Sequence, residues 1–435
     1  MALWTDTSAI SLKRVAALGV AIALAACSSR PVESPQLRTE LPKEAVALVP
    51  GDGAIKPAAG AGVATASTAA RPAGPVQRQD VIAFSGGGAD GAFGAGLLVG
   101  WAETGKRPNF DIVTGVSTGS FMAALLFAGP KYDGKLRDLY TNVSSADIFV
   151  DKGAAGLASE SLYDDTPLRK QIEKIVTKSF LADVAAQHNT GRRLFVATTN
   201  LDAGELVVWD MGQIAIGNRA DPLLQFQKVL RASAAVPAFF PPVYIKPQKG
   251  VELRQAHVDG GVKAPVLVRG FMFEQPAKQR NLYVVINGPL SRFNSAKAVE
   301  ANVKDIGRKA ITELLRTTLD QALFQGYVLA RNSGTEYNLV AIPDNVVPSN
   351  DALDFNKAKM KELYRVGYEF GRSGKPWLKE PPRLSSFERV AAPAKPTTPA
   401  TPAAIAAVPA AAVKDVSGAI KTTVTDLQSM VMNGP

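Results

Sequence analysis

A serine between two glycines lies at a point where the chain passes from one apolar run to another. In "TGVSTGS", Gly115, Ser117 and Gly119 have the spacing G-x-S-x-G, after "FDIV" and before "FMAALLFA". A sharp turn between a strand and a helix needs small residues at these two positions and exposes the serine hydroxyl. The helix dipole then stabilises negative charge that develops there. The pattern predicts that Ser117 is a nucleophile and that Gly115 and Gly119 form its elbow.

A second glycine-rich segment, "SGGGADG", follows the apolar run "VIAF". Gly86, Gly88 and Gly91 match the dinucleotide-binding spacing G-x-G-x-x-G. A dinucleotide site also needs an acidic residue at the end of the second strand, and here Asp111 lies at that strand's beginning. A serine that attacks a carbonyl instead needs backbone N–H donors for the resulting oxyanion. We therefore expect Gly86, Gly87 and Gly88 to form an oxyanion hole.

The general base has two candidates. The chain has two histidines, and the polar segment "AAQHNTGRR" predicts that His188 lies in an exposed loop. His257 lies in "AHVDGG", and a Ser-His-Asp triad that uses it stays open, although a hydrolase with the order Ser, Asp, His would place its histidine later. Asp259 precedes two glycines, and a partly desolvated carboxylate within hydrogen-bond reach of Ser117 is itself a general base.

Taken in order, "SGGGADG", "GVSTG" and "DGG" resemble the motifs of the patatin-like phospholipases. The segment "RASAAVPAFFPPV", residues 231–243, is similar to the Ala-Pro-Phe-Pro stretch of that family, and the resemblance covers about residues 81–290. It implies a three-layer α/β fold and a lipid acyl hydrolase, a serine carboxylic ester hydrolase without metal or cofactor. The catalytic dyad would be Ser117 and Asp259, with the oxyanion hole at Gly86, Gly87 and Gly88.

One residue departs from the family pattern. Asp90 stands where the family's glycine box usually has Arg or Lys. A carboxylate near the oxyanion loop opposes an anionic substrate or transition state. Two alternatives to the phospholipase therefore remain: a lipid-binding or envelope-scaffold lipoprotein with weak or no catalysis, and a Ser-His-Asp esterase that acts on small soluble esters.

The elements that would carry these residues alternate between strand and helix over residues 79–388, which we expect to form the acyl hydrolase domain. Strands are predicted at "DVIAF", "FDIVTG", "RLFVATTN", "GELVVWD", "NLYVVING" and "EYNLVAIP". A long helix is predicted from the periodic apolar residues Val299, Val303, Ile306, Leu314, Leu319 and Leu323. This alternation predicts an α/β fold with a mainly parallel central sheet and helices on both faces.

The N-terminus has the order of a lipoprotein signal peptide over residues 1–26. Two basic residues precede the apolar run "VAALGVAIALAA", which is too short to span a bilayer, and the chain's single cysteine, Cys27, follows it. The ending "LAAC" resembles a bacterial lipobox, which implies that Cys27 is lipidated. Because Ser28 follows the cysteine, the resemblance favours a lipid anchor in the outer membrane, facing the periplasm of the bacterial envelope.

Three further segments differ in composition from the folded body. Residues 27–78 are rich in Ala, Pro and Gly and are predicted to form a flexible tether. Residues 389–411 form a Pro/Ala-rich linker, and the apolar spacing over 412–435 predicts a short amphipathic helix. The net charge of +10 suits an anionic lipid surface, but no Lys/Arg run indicates nucleic acid. We therefore expect membrane lipids as substrate and anchor, and no nucleic-acid partner; the sequence names no protein partner.

Overall fold

The structure is a computed structural model that describes residues 45–48, 76–217, 221–246, 254–290, 299–344, 346, 352–374 and 377–382. The predicted signal peptide 1–26, the lipidation site Cys27, the linker 389–411 and the helix 412–435 lie outside the described residues. Most of the predicted tether 27–78 lies outside them as well.

The strands of the described residues, numbered in chain order, are β1 Ala45–Leu48, β2 Val76–Phe84, β3 Ile112–Gly115, β4 Val150–Asp151, β5 Tyr163–Asp164, β6 Arg193–Asn200, β7 Glu205–Asp210, β8 Val243–Ile245, β9 Gln255–Asp259, β10 Ala277–Pro289 and β11 Glu336–Ile342. The α-helices are α1 Gly91–Glu103, α2 Thr118–Ala128, α3 Asp133–Thr141, α4 Thr166–Ile175, α5 Lys178–Asn189, α6 Met211–Ile216, α7 Pro222–Ser233, α8 Val303–Asn332 and α9 Lys357–Ser373. Within the described part of the chain, no helix has both the length and the apolar character that crossing a membrane requires.

One large sheet organises the fold, with the strand order β1-β7-β6-β3-β2-β10-β11. The five strands from β6 to β11 along this order are parallel to one another. The strands β7 and β9 pair antiparallel with β6, and β8 pairs antiparallel with β9. Parallel neighbours need crossover connections, which bring helices over the sheet. The predicted α/β fold with a mainly parallel central sheet is confirmed.

Hydrophobic layers cover both faces of this sheet, because successive side chains of a strand point to opposite faces. On β2, Ile82 and Phe84 join a core cluster that also contains residues of α1, α2 and α9. Val81 and Ala83 join a second cluster, which includes Leu323 of α8. The sheet is therefore the middle layer of three.

The strand β1 lies within the segment predicted to be a flexible tether. Residues 45–48 pair antiparallel with β7, in a register that places Ala45 opposite Trp209 and Leu48 opposite Leu206. An otherwise open edge of β7 offers unpaired N–H and C=O groups, and a short apolar segment satisfies them. The prediction of a flexible tether over residues 27–78 is therefore wrong for residues 45–48, and also for residues 76–78, which belong to β2. The average composition of a long segment conceals such short paired stretches.

Candidate active site

Ser117 lies in a strained turn between β3 and α2. Its backbone has φ 53° and ψ −128°, a conformation that residues other than glycine rarely adopt. A Cβ atom added to Gly115 would lie 2.3 Å from the carbonyl oxygen of Gly119, and one added to Gly119 would lie 2.5 Å from that of Ser85. Both positions therefore require glycine. The structure places the serine in the strand-turn-helix that the sequence predicts.

The register of β6 brings Ser117 to the predicted base. The strand β3 ends where Gly115 pairs with Val196 of β6. The strand β9 runs the opposite way and ends where Asp259 pairs with Thr198. Because β7 occupies the other edge of β6, β3 and β9 share one edge and their ends face each other. Ser117 and Asp259 line the same cavity, and the Ser117 hydroxyl acts to lower the pKa of the Asp259 carboxyl.

The Asp259 carboxylate is buried, with 3% of the residue exposed. Burial raises the pKa of Asp259 to about 7, although the Ser117 hydroxyl and the Gly261 N–H act to lower it. The Gly261 bond to Oδ1 is 2.7 Å long. A general base is most effective when its pKa lies near the working pH. The carboxylate is therefore suited to accept the proton of Ser117 at neutral pH.

The glycine loop after β2 lies beside the serine. A Cβ atom on Gly86 would lie 3.1 Å from the Cβ of Ser117, but the Gly86 N–H already donates to the Pro265 carbonyl at 3.1 Å. The N–H groups of Gly87 and Gly88 donate to no protein acceptor among the described residues. The prediction of three oxyanion donors is thus corrected: Gly86 shapes the loop, while Gly87 and Gly88 offer free donors.

A family profile described as patatin-like phospholipase matches residues 82–272, a range that contains the serine, the aspartate and the glycine loop. Residues 82–272 are a patatin-like phospholipase domain. No match is found among curated proteins.

Solved structures of similar fold include VipD from Legionella pneumophila, with 13% sequence identity and a TM-score of 0.35; the match covers 68% of this chain and 66% of VipD. The human GIVD cytosolic phospholipase A2 is 11% identical with a TM-score of 0.35, over 69% of this chain and 59% of that one. ExoU with SpcU from Pseudomonas aeruginosa is 15% identical with a TM-score of 0.28, over 69% of this chain and 52% of that one. The chain thus spans less than two thirds of the length of these proteins.

The glycine loop of the patatin-like domain is clamped by residues far away in sequence. Asn287 lies near the end of β10. Its backbone N–H donates to the Ser85 hydroxyl at 2.9 Å, and its side-chain Nδ2 donates to the Ser85 carbonyl at 2.8 Å. The Ala89 N–H donates to the Ala352 carbonyl at 2.8 Å. A Cβ atom on Gly87 would lie 2.0 Å from the Asn287 carbonyl oxygen. No motif in the sequence indicates Asn287 or Ala352, because their role depends on tertiary packing alone.

A second contact that sequence reasoning missed involves Ser233, the last residue of α7. The Ser117 N–H donates to Ser233 Oγ at 3.0 Å, and this hydroxyl donates to the Ala197 carbonyl at 2.8 Å. Two residues later, the Ala235 carbonyl accepts the Asp259 N–H at 2.9 Å. The segment "RASAAVP" is part of the stretch that resembles the family. The sequence therefore indicates that this segment belongs to the site, but it does not indicate the role of Ser233.

His257 does not complete a triad. Its Nδ1 lies 3.0 Å from the Thr198 hydroxyl, its ring packs edge-on against Trp209, and burial lowers its pKa to about 4. Within the described residues its Nε2 has no hydrogen-bond partner. The ring therefore contacts neither Ser117 nor Asp259 through a nitrogen, and the structure does not assemble the Ser-His-Asp alternative.

His188 does not lie in an exposed loop, and that prediction is wrong. It is 2% exposed and lies in α5, with Nε2 3.0 Å from the Gln213 side-chain amide. Its Nδ1 lies 3.7 Å from Oδ1 of Asp210, and burial lowers its pKa to about 4. The polar residues around it lie on the outer face of a helix, whereas the histidine side chain points inward.

A cavity of about 230 Å³ adjoins Ser117, Asp259 and the glycine loop. Most of its wall is apolar and comes from α2, α4, α8 and the segment after α7; the wall includes Phe121, Leu125, Leu168, Ile172, Phe239 and Leu315. Asp90 also lines the cavity and is 6% exposed. An apolar pocket that ends at a nucleophile and free N–H donors is suited to an ester with a long hydrocarbon part.

Proposed function

We propose that this protein is a lipid acyl hydrolase of the phospholipase, lysophospholipase or lipase type, which works through a Ser117–Asp259 dyad and an acyl-enzyme. The observation that carries the proposal is the pair formed by Ser117 and the buried Asp259 carboxylate, which lie at the facing ends of β3 and β9 along β6. It lies at the wall of a largely apolar cavity. The patatin-like phospholipase domain supports lipid ester hydrolysis as the class of reaction.

The proposed reaction has two halves, the formation of an acyl-enzyme and its hydrolysis. Asp259 accepts the Ser117 proton as the serine oxygen attacks the ester carbonyl, and the N–H groups of Gly87 and Gly88 stabilise the oxyanion. The protonated Asp259 then gives its proton to the leaving alcohol. In the second half, Asp259 takes a proton from water, the resulting hydroxide attacks the acyl-enzyme, and Ser117 regains its proton as the fatty acid leaves. Each preorganised donor contributes roughly 3 to 4 kcal/mol to such a transition state.

The cavity supports a substrate with an acyl chain. Burying each methylene contributes roughly 0.8 kcal/mol, and a chain against this wall is therefore bound mainly by its hydrocarbon. Asp90 lies in the same wall and disfavours an anionic group beside the glycine loop. The proposal therefore places an uncharged ester portion next to this loop.

We further propose that the mature protein is anchored through Cys27 in the bacterial outer membrane, facing the periplasm. The support is the sequence alone: a basic region, a short apolar run and "LAAC" before the cysteine. Two or three acyl chains on Cys27 suffice for stable anchoring, since a single chain binds only marginally. Such an anchor would hold the cavity near its lipid substrate.

The test uses the full chain in detergent micelles, with a fluorophosphonate probe and peptide mass spectrometry, beside an assay of fatty-acid release from mixed micelles. We expect labelling at Ser117 and fatty-acid release in the wild type. Ser117→Ala should lose both, and Asp259→Asn should lose at least a hundredfold in rate. The matched control is His257→Gln, which removes the histidine of the rejected triad and should keep at least half of the activity.

These outcomes distinguish three hypotheses: the dyad hydrolase, the triad esterase and the lipid-binding protein. Loss of activity in His257→Gln with retained folding would favour the triad esterase. A folded wild type that binds lipid vesicles but is neither labelled nor releases fatty acid would favour a lipid-binding envelope protein and would end the hydrolase proposal.

A further inference from the structure

One short segment at the end of α7 holds the backbone of both members of the dyad. Ser233 Oγ accepts the Ser117 N–H at 3.0 Å, and the Ala235 carbonyl accepts the Asp259 N–H at 2.9 Å. We call residues 233–235 the bracket. Because the two bonds start two residues apart on one segment, the bracket fixes the separation of the nucleophile and its base.

The Ser233 hydroxyl also hydrogen-bonds a carbonyl of β6 that lies between the two strands pairing with that edge. Along β6, pairing with β3 ends at Val196 and pairing with β9 begins at Thr198. Ala197 lies between the two, and its carbonyl accepts the Ser233 hydroxyl at 2.8 Å. A Cβ atom on Gly260 would lie 2.5 Å from that carbonyl oxygen, and glycine there keeps the space open. Ser233 therefore joins Ser117 to β6 at the point where the two catalytic strands meet.

The bracket has support that does not depend on the dyad. Arg231, two residues before Ser233, bonds both oxygens of Asp165, from Nε at 2.5 Å and from Nη2 at 2.7 Å. The Asp165 side chain is 4% exposed, and a buried bidentate pair of this kind fixes geometry well. The end of α7 is thus anchored before it reaches the dyad.

We propose that Ser233 is a positioning residue, whose hydroxyl holds Ser117 in its strained turn at the distance from Asp259 that proton transfer needs. The inference rests on the proposed function, because it assigns Ser233 a role in that dyad. A strained backbone persists only where its surroundings over-determine it, and Ser233 supplies a side-chain acceptor for the Ser117 N–H. Displacing a reacting group by 1 Å costs about a hundredfold in rate.

The alternative is that Ser233 is only a buried, hydrogen-bonded side chain. Thr114 offers the matched control, since it is fully buried and its hydroxyl donates to the Leu267 carbonyl at 2.7 Å. Thr114→Val, like Ser233→Ala, deletes a buried hydroxyl and leaves a carbonyl without its donor. It leaves the bonds of the bracket to Ser117 and Asp259 in place.

The experiment measures fluorophosphonate inactivation of the full chain over a range of probe concentrations. Ser233→Ala should lower the maximal inactivation rate at least tenfold, while the probe's binding constant changes less than twofold. Thr114→Val should stay within twofold in both constants. Ser233→Thr restores a hydroxyl and should recover most of the rate. If Ser233→Ala does not fold, Ser233→Cys, which keeps the size with a weak acceptor, carries the same test. A rate within twofold of wild type, or an equal loss in Thr114→Val, overturns the proposal.

Hydrogen exchange gives a readout that does not depend on activity. In Ser233→Ala, hydrogen exchange should rise in the peptide that covers 112–122, because the Ser117 N–H loses its acceptor. It should also rise over 255–261, because the bracket loses its bond to the Ala197 carbonyl and no longer holds the Ala235 carbonyl firmly against the Asp259 N–H. In Thr114→Val, exchange over 255–261 should stay as in the wild type. If wild-type Ser117 is not labelled at all, the proposed hydrolase activity fails, but exchange still decides whether the bracket holds both segments. Unchanged exchange in Ser233→Ala overturns the bracket.

Discussion

Ser117 and Asp259 meet because the strands that precede them approach each other along the same edge of β6. One pairs parallel up to Val196 and the other antiparallel from Thr198, which leaves a single residue of β6 between them. Ser117 and Asp259, the nucleophile and the base of the proposed mechanism, are thus positioned by backbone pairing rather than by flexible loops. A base set this way needs no histidine between it and the serine, provided that its pKa is raised toward neutrality.

Activity should therefore depend on the ionisation of one carboxyl. Since burial raises the pKa of Asp259 to about 7, the ionised base should be lost as the pH falls through 7. We expect kcat/KM for a soluble ester such as p-nitrophenyl butyrate to rise tenfold per pH unit below about 7 and to level off above it. A profile that is still flat at pH 5 would contradict a base with this pKa.

The same buried carboxyl should destabilise the fold at neutral pH. The folded pKa of Asp259 is raised above its unfolded value, so its contribution to stability is fully present below about pH 4 and is lost as the pH rises through 7. A shift of this size corresponds to roughly 4 kcal/mol at pH 8. Asp259→Asn should therefore raise the free energy of unfolding at pH 8 by a few kcal/mol and change it little at pH 4, measured by urea unfolding.

Asp147 gives a control of opposite sign. The hydrogen bond from the Ser144 side chain holds the pKa of Asp147 below its usual range. Its contribution is therefore present above the unfolded pKa, and Asp147→Asn should lower stability at pH 8. If the free energy of unfolding at pH 8 changed equally and in the same direction for both variants, a general charge effect rather than the burial of Asp259 would set the pH dependence.

The sequence predicts the parts of the site that depend on local backbone geometry. The turn at Ser117 needs glycine on both sides, and the five residues 115–119 are enough to predict this. The partners of that turn and of the glycine loop cannot be predicted from the sequence, because Ser233 reaches Ser117, and Asn287 reaches Ser85, only through the packing of α7 and β10. For the same reason the sequence could not show that the Gly86 N–H is already bonded to Pro265.

The burial of a side chain is also hard to predict from the residues that flank it in the sequence. His188 stands among polar residues, yet its helix turns it inward against Gln213. The strand at 45–48 is concealed in a segment rich in Ala, Pro and Gly, because pairing with β7 decides its structure. In both cases tertiary contact outweighs local composition.

Gly119 should tolerate no side chain. A Cβ atom there would lie 2.5 Å from the Ser85 carbonyl oxygen and 2.8 Å from Phe84, and both residues belong to the strand and loop that lead to Gly87 and Gly88. We expect Gly119→Ala to lower stability by about 1 to 3 kcal/mol and to abolish fluorophosphonate labelling, because the clash moves the elbow and the loop apart. Thermal unfolding and labelling measure the two effects.

The control for that variant is Gly134→Ala in α3, where an added Cβ meets nothing within 4 Å. Alanine in an open helical position stabilises by about 0.5 to 1 kcal/mol, and labelling should stay at the wild-type rate. Wild-type labelling in Gly119→Ala would show that the elbow relaxes without consequence for Ser117.

Asp90 should set which headgroups the cavity accepts. It lines the cavity, and a buried carboxylate there repels an anion through a medium of lower dielectric constant than water. Asp90→Asn keeps the shape and removes the charge. We expect its kcat/KM to rise more for phosphatidylglycerol than for diacylglycerol in the same mixed micelles, with the ratio of the two changing at least fivefold. The matched variant Asp133→Asn removes a carboxylate of α3 that pairs with Arg107, and neither residue is among the described residues that line the cavity, so it should leave that ratio within twofold. An unchanged ratio in Asp90→Asn would mean that the carboxylate does not face the headgroup.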